Sequence, residues 1–104
     1  MSTEKYRSDS QQRLIKTIFV LAGHEIKGLA PSDIIRATGM SASQVTRTMT
    51  NMEIGGIAEK MPDMVDRWRL APRFVQISVA MLNGISKAQD KLEESRQRFT
   101  RNPS

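Results

Sequence analysis

Cysteine is absent from the chain, so neither a disulfide framework nor a thiolate metal site can be assembled from it. Histidine occurs once, at His24, where no triad partners accompany it and a polar or capping role is expected. No glycine loop of the G-x-x-x-x-G-K-[ST] kind is present, and the scattered carboxylates lack metal-ligand spacing. Catalysis is therefore not expected, nor any cofactor or bound metal. Aromatic residues make up only 5% of the chain, which leaves no stacking platform for single-stranded nucleic acid. The longest apolar run, residues 18–22, falls far short of the roughly 20 residues that a bilayer demands. Nothing at the N-terminus has the basic, apolar and small-residue order of an export signal, so a cytoplasmic protein is expected.

What is present suits one modest domain. A length of 104 residues supports a single core, with 38% hydrophobic and 26% charged residues, a little to the polar side of globular usage. Sixteen basic residues against eleven acidic ones leave a net charge of +5, which favours an anionic partner. Seven methionines suit irregular gaps in a core or helix seam.

Capping and short polar residues at 8–12 precede Leu14, Ile15, Ile18, Phe19 and Ala22, whose helical spacing predicts a first helix with one buried stripe, ended by Gly23. Pro31 and Asp33 announce a second helix, since proline loses nothing in the first turn and a carboxylate suits the positive helix end. Ile34, Ile35 and Ala37 are its expected apolar contacts, and Gly39 its stop. Ser41 and Gln44 form a capping-box pattern that opens a third helix over Ala42–Ile54. Its core stripe is Val45, Met49 and Met52, flanked by Ile54, and Gly55 and Gly56 close it.

Residues 57–60 and the alternating Arg67-Trp68-Arg69-Leu70 predict a short β-hairpin across a turn holding Pro62 and Asp63, with Trp68 and Leu70 facing the core. From 72 to 101 only Asn83-Gly84 interrupts helix formers, and Phe74, Ser78, Met81, Ile85, Ala88, Leu92, Ser95 and Phe99 recur in steps of four and three. Such a heptad seam predicts a long C-terminal helix that forms a homodimer; Val75, Val79 and Leu82 offer the alternative of folding back on the first helix. The expected fold is mostly α, three helices and a hairpin wing in residues 1–72, then a dimerisation helix in 73–104.

Helix, glycine turn, helix and hairpin is the order of a winged helix-turn-helix, whose second motif helix enters the DNA major groove. The residues Gly28-Leu29-Ala30-Pro31-Ser32-Asp33-Ile34, Ala37-Thr38-Gly39-Met40-Ser41, the Ser43, Val45 and Arg47 pattern, and Arg69-Leu70-Ala71 resemble the N-terminal DNA-binding domain of the IclR family of transcriptional regulators. The resemblance spans residues 14–74. It departs from that family at Met49-Thr50-Asn51-Met52, where leucines are expected, and no counterpart of the family's effector-binding domain lies within these residues. A stand-alone regulator, phage or mobile-element encoded and without a small-molecule effector, is the expectation.

The resemblance makes Ala42–Ile54 the recognition helix. Ser41, Ala42, Ser43, Gln44, Thr46 and Arg47 then lie nearest bases or phosphates, with Thr50 and Asn51 further along. Gln44 suits adenine through its amide, and Arg47 suits phosphate or guanine. The absence of Asp and Glu from residues 41–52 distinguishes this face from an ordinary solvated helix. In the wing, Lys60, Arg67 and Arg69 can approach phosphates or equally protect a hairpin edge, while Asp63 and Asp66 dilute their charge. Lys5, Arg7, Arg13 and Lys16 form either a backbone-following arm or a solvated tail. The leading expectation is sequence-specific binding of double-stranded DNA; the alternatives are a protein-interaction adaptor and a non-specific DNA-architectural protein.

Overall fold

A computed structural model describes residues 3–101; the outermost residues of the two expected segments, 1–2 and 102–104, lie outside it. After a turn of 3-10 helix at Thr3–Tyr6, the Ser8 hydroxyl accepts the Gln11 N–H and starts α1, Asp9–Leu21. The buried face of α1 is made by Thr17 and Leu21, with Leu14 and Ile18 packed at its edge. Ile15, Phe19 and Ala22 are exposed instead of completing the expected stripe, Phe19 at 75%. The reason is angular: at about 100° per residue, 14, 17, 18 and 21 share one face, and 15, 19 and 22 fall on its neighbour. Thr17 is tolerated in the core because its hydroxyl donates to the Arg13 carbonyl at 2.7 Å.

α2, Pro31–Thr38, begins with proline in its first turn, and the Asp33 carboxylate accepts the Ala30 N–H at 3.0 Å. It buries Ile34 and Thr38, whereas Ala37 faces solvent. Gly39 takes φ 75°, the left-handed conformation that closes the helix. Lys16 reaches across from α1 to donate to the Thr38 carbonyl at 3.0 Å, satisfying an orphan acceptor at that end. α3 runs over Ala42–Ile54 as its capping pattern predicts, burying Val45, Thr48, Met49 and Met52. Ile54 is exposed.

Two strands follow, β1 at Ala58–Lys60 and β2 at Trp68–Leu70, antiparallel with Glu59 opposite Arg69. Arg67 precedes β2 and does not belong to it. A third extended position, unforeseen in the sequence, flanks β2: Leu29 and Trp68 exchange two backbone hydrogen bonds of 2.8 Å. Leu21, Ile34, Met40, Val45, Met49, Met52, Ala58 and Trp68 form the core beneath the three helices and the wing.

The chain divides into two units, Met1–Pro72 and Arg73–Ser104. The second is essentially α4, Pro72–Thr100, continuous through Asn83-Gly84 and burying none of its residues. Phe74 is half-buried; Ser78, Met81, Ile85, Ala88, Leu92 and Phe99 of the heptad seam are exposed, as are Val75, Val79 and Leu82. Ser78 donates its hydroxyl to the Phe74 carbonyl at 3.1 Å. Arg96 grips Glu93 through two nitrogens, and this pairing holds the Glu93 carboxyl below the usual carboxylate range.

Candidate nucleic-acid interface

Four buried side chains fix which way α3 turns. With Val45, Thr48, Met49 and Met52 against the core, Ser43, Thr46, Arg47, Thr50 and Asn51 are left exposed on the opposite side. Around the helix, Ser43 points most directly outward, with Thr50 and Arg47 to either side of it and the exposed Ile54 on the same line in the last turn; Thr46 and Glu53 lie on one flank, and Asn51 and Gln44 on the other. The acid-free face predicted for residues 41–52 is therefore a physical surface, and Glu53 falls on the flank opposite Gln44.

Local hydrogen bonds preset several of these side chains. Ser41 and Gln44 cap the helix reciprocally: Ser41 N–H donates to Gln44 Oε1 at 3.0 Å, and Gln44 N–H donates to the Ser41 hydroxyl at 3.2 Å. The amide oxygen that a two-point contact with adenine requires is thus turned back to the helix start, leaving Nε2 as the outward donor. Ser43 lies within 3.4 Å of the Ser41 hydroxyl. Thr46 donates to the Ala42 carbonyl at 3.1 Å, and Asn51 Nδ2 to the Arg47 carbonyl at 2.8 Å. Ala42 is exposed at the helix start and offers only its methyl group. Arg47 forms no ion pair among the described residues, so its guanidinium is available to an anion.

The wing residues diverge from one another. Arg67 donates to the Lys27 carbonyl at 2.7 Å and the Gly28 carbonyl at 3.0 Å, so its side chain is occupied in tying the wing to the loop before α2. Arg69 is paired with Glu59 at 2.7 Å, directly across the hairpin, which offsets its charge. Lys60 stands with its ammonium 5.5 Å from the Trp68 ring centre and remains exposed. Of the three, Lys60 alone has no carboxylate or carbonyl engaging its charge among the described residues. Sequence spacing carried no sign of this difference, because the carbonyls of Lys27 and Gly28 are distant in the chain.

Beside α3 runs a groove whose other wall is the start of α1; Arg13, Gln44, Arg47 and Asn51 line it. Among the N-terminal cations Lys5, Arg7, Arg13 and Lys16, whose role the sequence leaves open, Arg13 is brought beside the exposed face of α3 by the packing of α1 on α3. Lys16 is engaged at the end of α2 and Arg7 pairs with Asp9, which sets Arg13 apart from both.

No family model matches the chain. No curated protein matches it either. Among solved structures, it is similar to the Zalpha domain of Cyprinid Herpesvirus 3 ORF112, described in its binding mode to Z-DNA. Identity is 24%, over 61% of this chain and 98% of that one, with a TM-score of 0.52. This likeness and the element order give the fold: a winged helix-turn-helix with a long C-terminal helix. Among the described residues no helix is long and apolar enough to cross a membrane.

Proposed function

We propose that the chain is a sequence-specific, double-stranded DNA-binding regulator of transcription that inserts α3 into the major groove and acts as a homodimer through α4. The observation that carries the reading is the carboxylate-free outward face of α3, with its back anchored in the core by Val45 and Met49. Ser43 and Thr50, on the outward face, are assigned to base edges; Arg47 and Gln44 Nε2 are assigned to phosphate or base acceptors, and Lys60 to the backbone beside the wing. Arg67 and Arg69 take structural roles in this assignment.

The reading involves binding without turnover, by a cytoplasmic protein of IclR-like character. Support for the dimer comes from α4, which leaves Met81, Ile85, Leu92 and Phe99 exposed along one heptad seam. Two-fold pairing would present two α3 helices to half-sites about 34 to 36 Å apart, or a multiple of that spacing.

Selection of bound sequences from a random duplex pool tests the proposal. A recovered motif with two-fold symmetry supports it, and recovery of no preferred sequence contradicts the sequence-specific part. Because the fold neighbour was studied on Z-DNA, duplexes in B and Z form belong side by side in the binding assay. Tighter binding to the B-form duplex is expected, since the proposed contacts are those of an ordinary major groove.

A further inference from the structure

We propose that the groove between α1 and α3 is a clamp for one phosphodiester of the bound duplex, with Arg13 and Arg47 as its two cationic jaws. The inference rests on the DNA-binding reading above and adds to it a contact from outside the helix-turn-helix motif.

The walls come from separate elements, with Ser10, Gln11 and Arg13 on α1 and Gln44, Arg47 and Asn51 on α3; Leu14 and Thr48 lie between them. Among the described residues, no carboxylate lines this groove. Neither arginine forms an ion pair among the described residues, while the nearby Asp9 is paired with Arg7. Two arginines with no ion pair thus line one cleft, an arrangement that favours an anion with several acceptor oxygens; Arg13 also borders the neighbouring groove that holds Asp9, whose carboxylate is taken up by Arg7.

The hydrogen-bond polarity agrees. Gln44 has committed Oε1 to the Ser41 N–H, so the end facing outward is an N–H donor. Asn51 holds one amide proton on the Arg47 carbonyl and stiffens the segment that carries the arginine. Arg13 is positioned by a backbone that the buried Thr17 hydroxyl binds through the Arg13 carbonyl. The jaws therefore project from helices that are already ordered.

Placement selects a phosphodiester over a base. Gln44 and Asn51 occupy the flank of α3 that turns toward α1, and Arg47 stands at the border between that flank and the outward line of Ser43, so its side chain lines the groove at its outer rim. When the outward line enters a groove, that flank meets the sugar-phosphate strand bordering it. Contacts of this kind fix register and add affinity without reading sequence.

The test uses the full chain and its Arg13→Ala, Arg13→Gln and Arg47→Ala variants, titrated by gel shift on the selected duplex and on an unrelated duplex at several salt concentrations. Arg13→Ala is expected to weaken both duplexes by a similar factor, about tenfold, and to reduce the salt slope by about one per clamp engaged. Arg13→Gln serves if the alanine variant loses its helical circular dichroism. Unchanged affinity and slope in a folded Arg13 variant, with Arg47→Ala still impaired, overturns the clamp and leaves the regulator reading standing. Failure of the unsubstituted chain to bind any duplex overturns both. A loss confined to the selected duplex also contradicts the clamp, because it would make Arg13 a reader of sequence.

Discussion

The Gln44 side-chain oxygen receives the Ser41 backbone N–H at 3.0 Å, and the Ser41 hydroxyl receives the Gln44 N–H at 3.2 Å. One residue therefore has two tasks, closing the start of α3 and presenting an amide donor beside Arg47. The two separate on substitution. Gln44→Glu retains an acceptor for the cap and replaces the outward donor with a carboxylate oxygen, so thermal stability should stay within a few tenths of a kcal/mol while duplex affinity falls. Ser41→Ala should instead cost about 0.5 to 2 kcal/mol of stability, read by chemical denaturation. Equal affinity for Gln44→Glu and the parent would remove this residue from the interface.

Arg67 makes the opposite case, a cation whose charge is used inside the fold. Its guanidinium bonds to the carbonyls of Lys27 and Gly28, and hydrogen bonds to charged groups contribute about 1.5 to 3 kcal/mol each when buried, less where solvent competes. Arg67→Ala should lower stability by about 1 to 2 kcal/mol at half-exposed geometry. Its effect on the salt slope of duplex binding should be negligible. A reduced slope with unchanged stability would return Arg67 to the DNA surface.

Gly28, in the loop before α2, has no room for a side chain. It adopts φ 65°, and an added Cβ would meet the Met61 sulfur and lie 2.8 Å from the Trp68 carbonyl oxygen. Both strain and collision then act against any side chain, and the collision falls on backbone that cannot swing aside. Gly28→Ala should destabilise the winged unit by about 1 to 3 kcal/mol, measured as a shifted urea midpoint with unchanged slope. Gly84, in α4, provides the contrast: nothing lies within 4 Å of its missing Cβ. Gly84→Ala should favour the helix by about 0.5 to 1 kcal/mol.

The wing tip carries two carboxylates, Asp63 and Asp66, both exposed. Asp66 sits at φ 55°, a conformation that asparagine also accepts. Replacing both with asparagine removes two negative charges without disturbing the turn, so duplex affinity should rise by a few fold at low salt and the gain should fade as salt increases. No gain at low salt would place the wing away from the DNA.

In α4 the exposed seam gives a direct prediction about assembly. Ile85→Glu or Leu92→Glu places a charge where a second helix would bury an apolar side chain, each of which contributes about 1.5 to 3 kcal/mol before ordering costs. Sedimentation should show the parent as a dimer at micromolar concentration and these variants as monomers. A parent that sediments as a monomer throughout would contradict the proposed dimer.

How far the sequence carried the architecture depended on whether the signals were local. α3 was legible to the residue because Ser41, Gln44 and Gly55 mark its ends by short-range chemistry, and Pro31 with Gly39 did the same for α2. The buried face of α1 is ambiguous in the sequence because apolar residues cover more than one face: Ile15 and Phe19 look like core by type, and only packing shows that Thr17 takes the inward position. The pairing of Leu29 with Trp68 was invisible because a single bridge leaves no alternating pattern. The candidate interface divided along the same line. The acid-free face of α3 could be read from composition, whereas the occupation of Arg67 and Arg69 and the placing of Arg13 and Arg47 on one groove depend on the packing of distant segments.

Whether the exposed face of α3 binds duplex DNA is probed most directly at Arg47. Gel-shift titration of the parent and Arg47→Ala against the selected duplex, from 50 to 200 mM salt, is the decisive measurement. The parent should lose roughly 10³ to 10⁵ in affinity across that range if a dimer makes about six to ten phosphate contacts. Arg47→Ala should bind at least tenfold more weakly, with a shallower slope and an unaltered helical circular dichroism spectrum. Salt-insensitive binding by the parent, or equal affinity for the two proteins, would contradict the account.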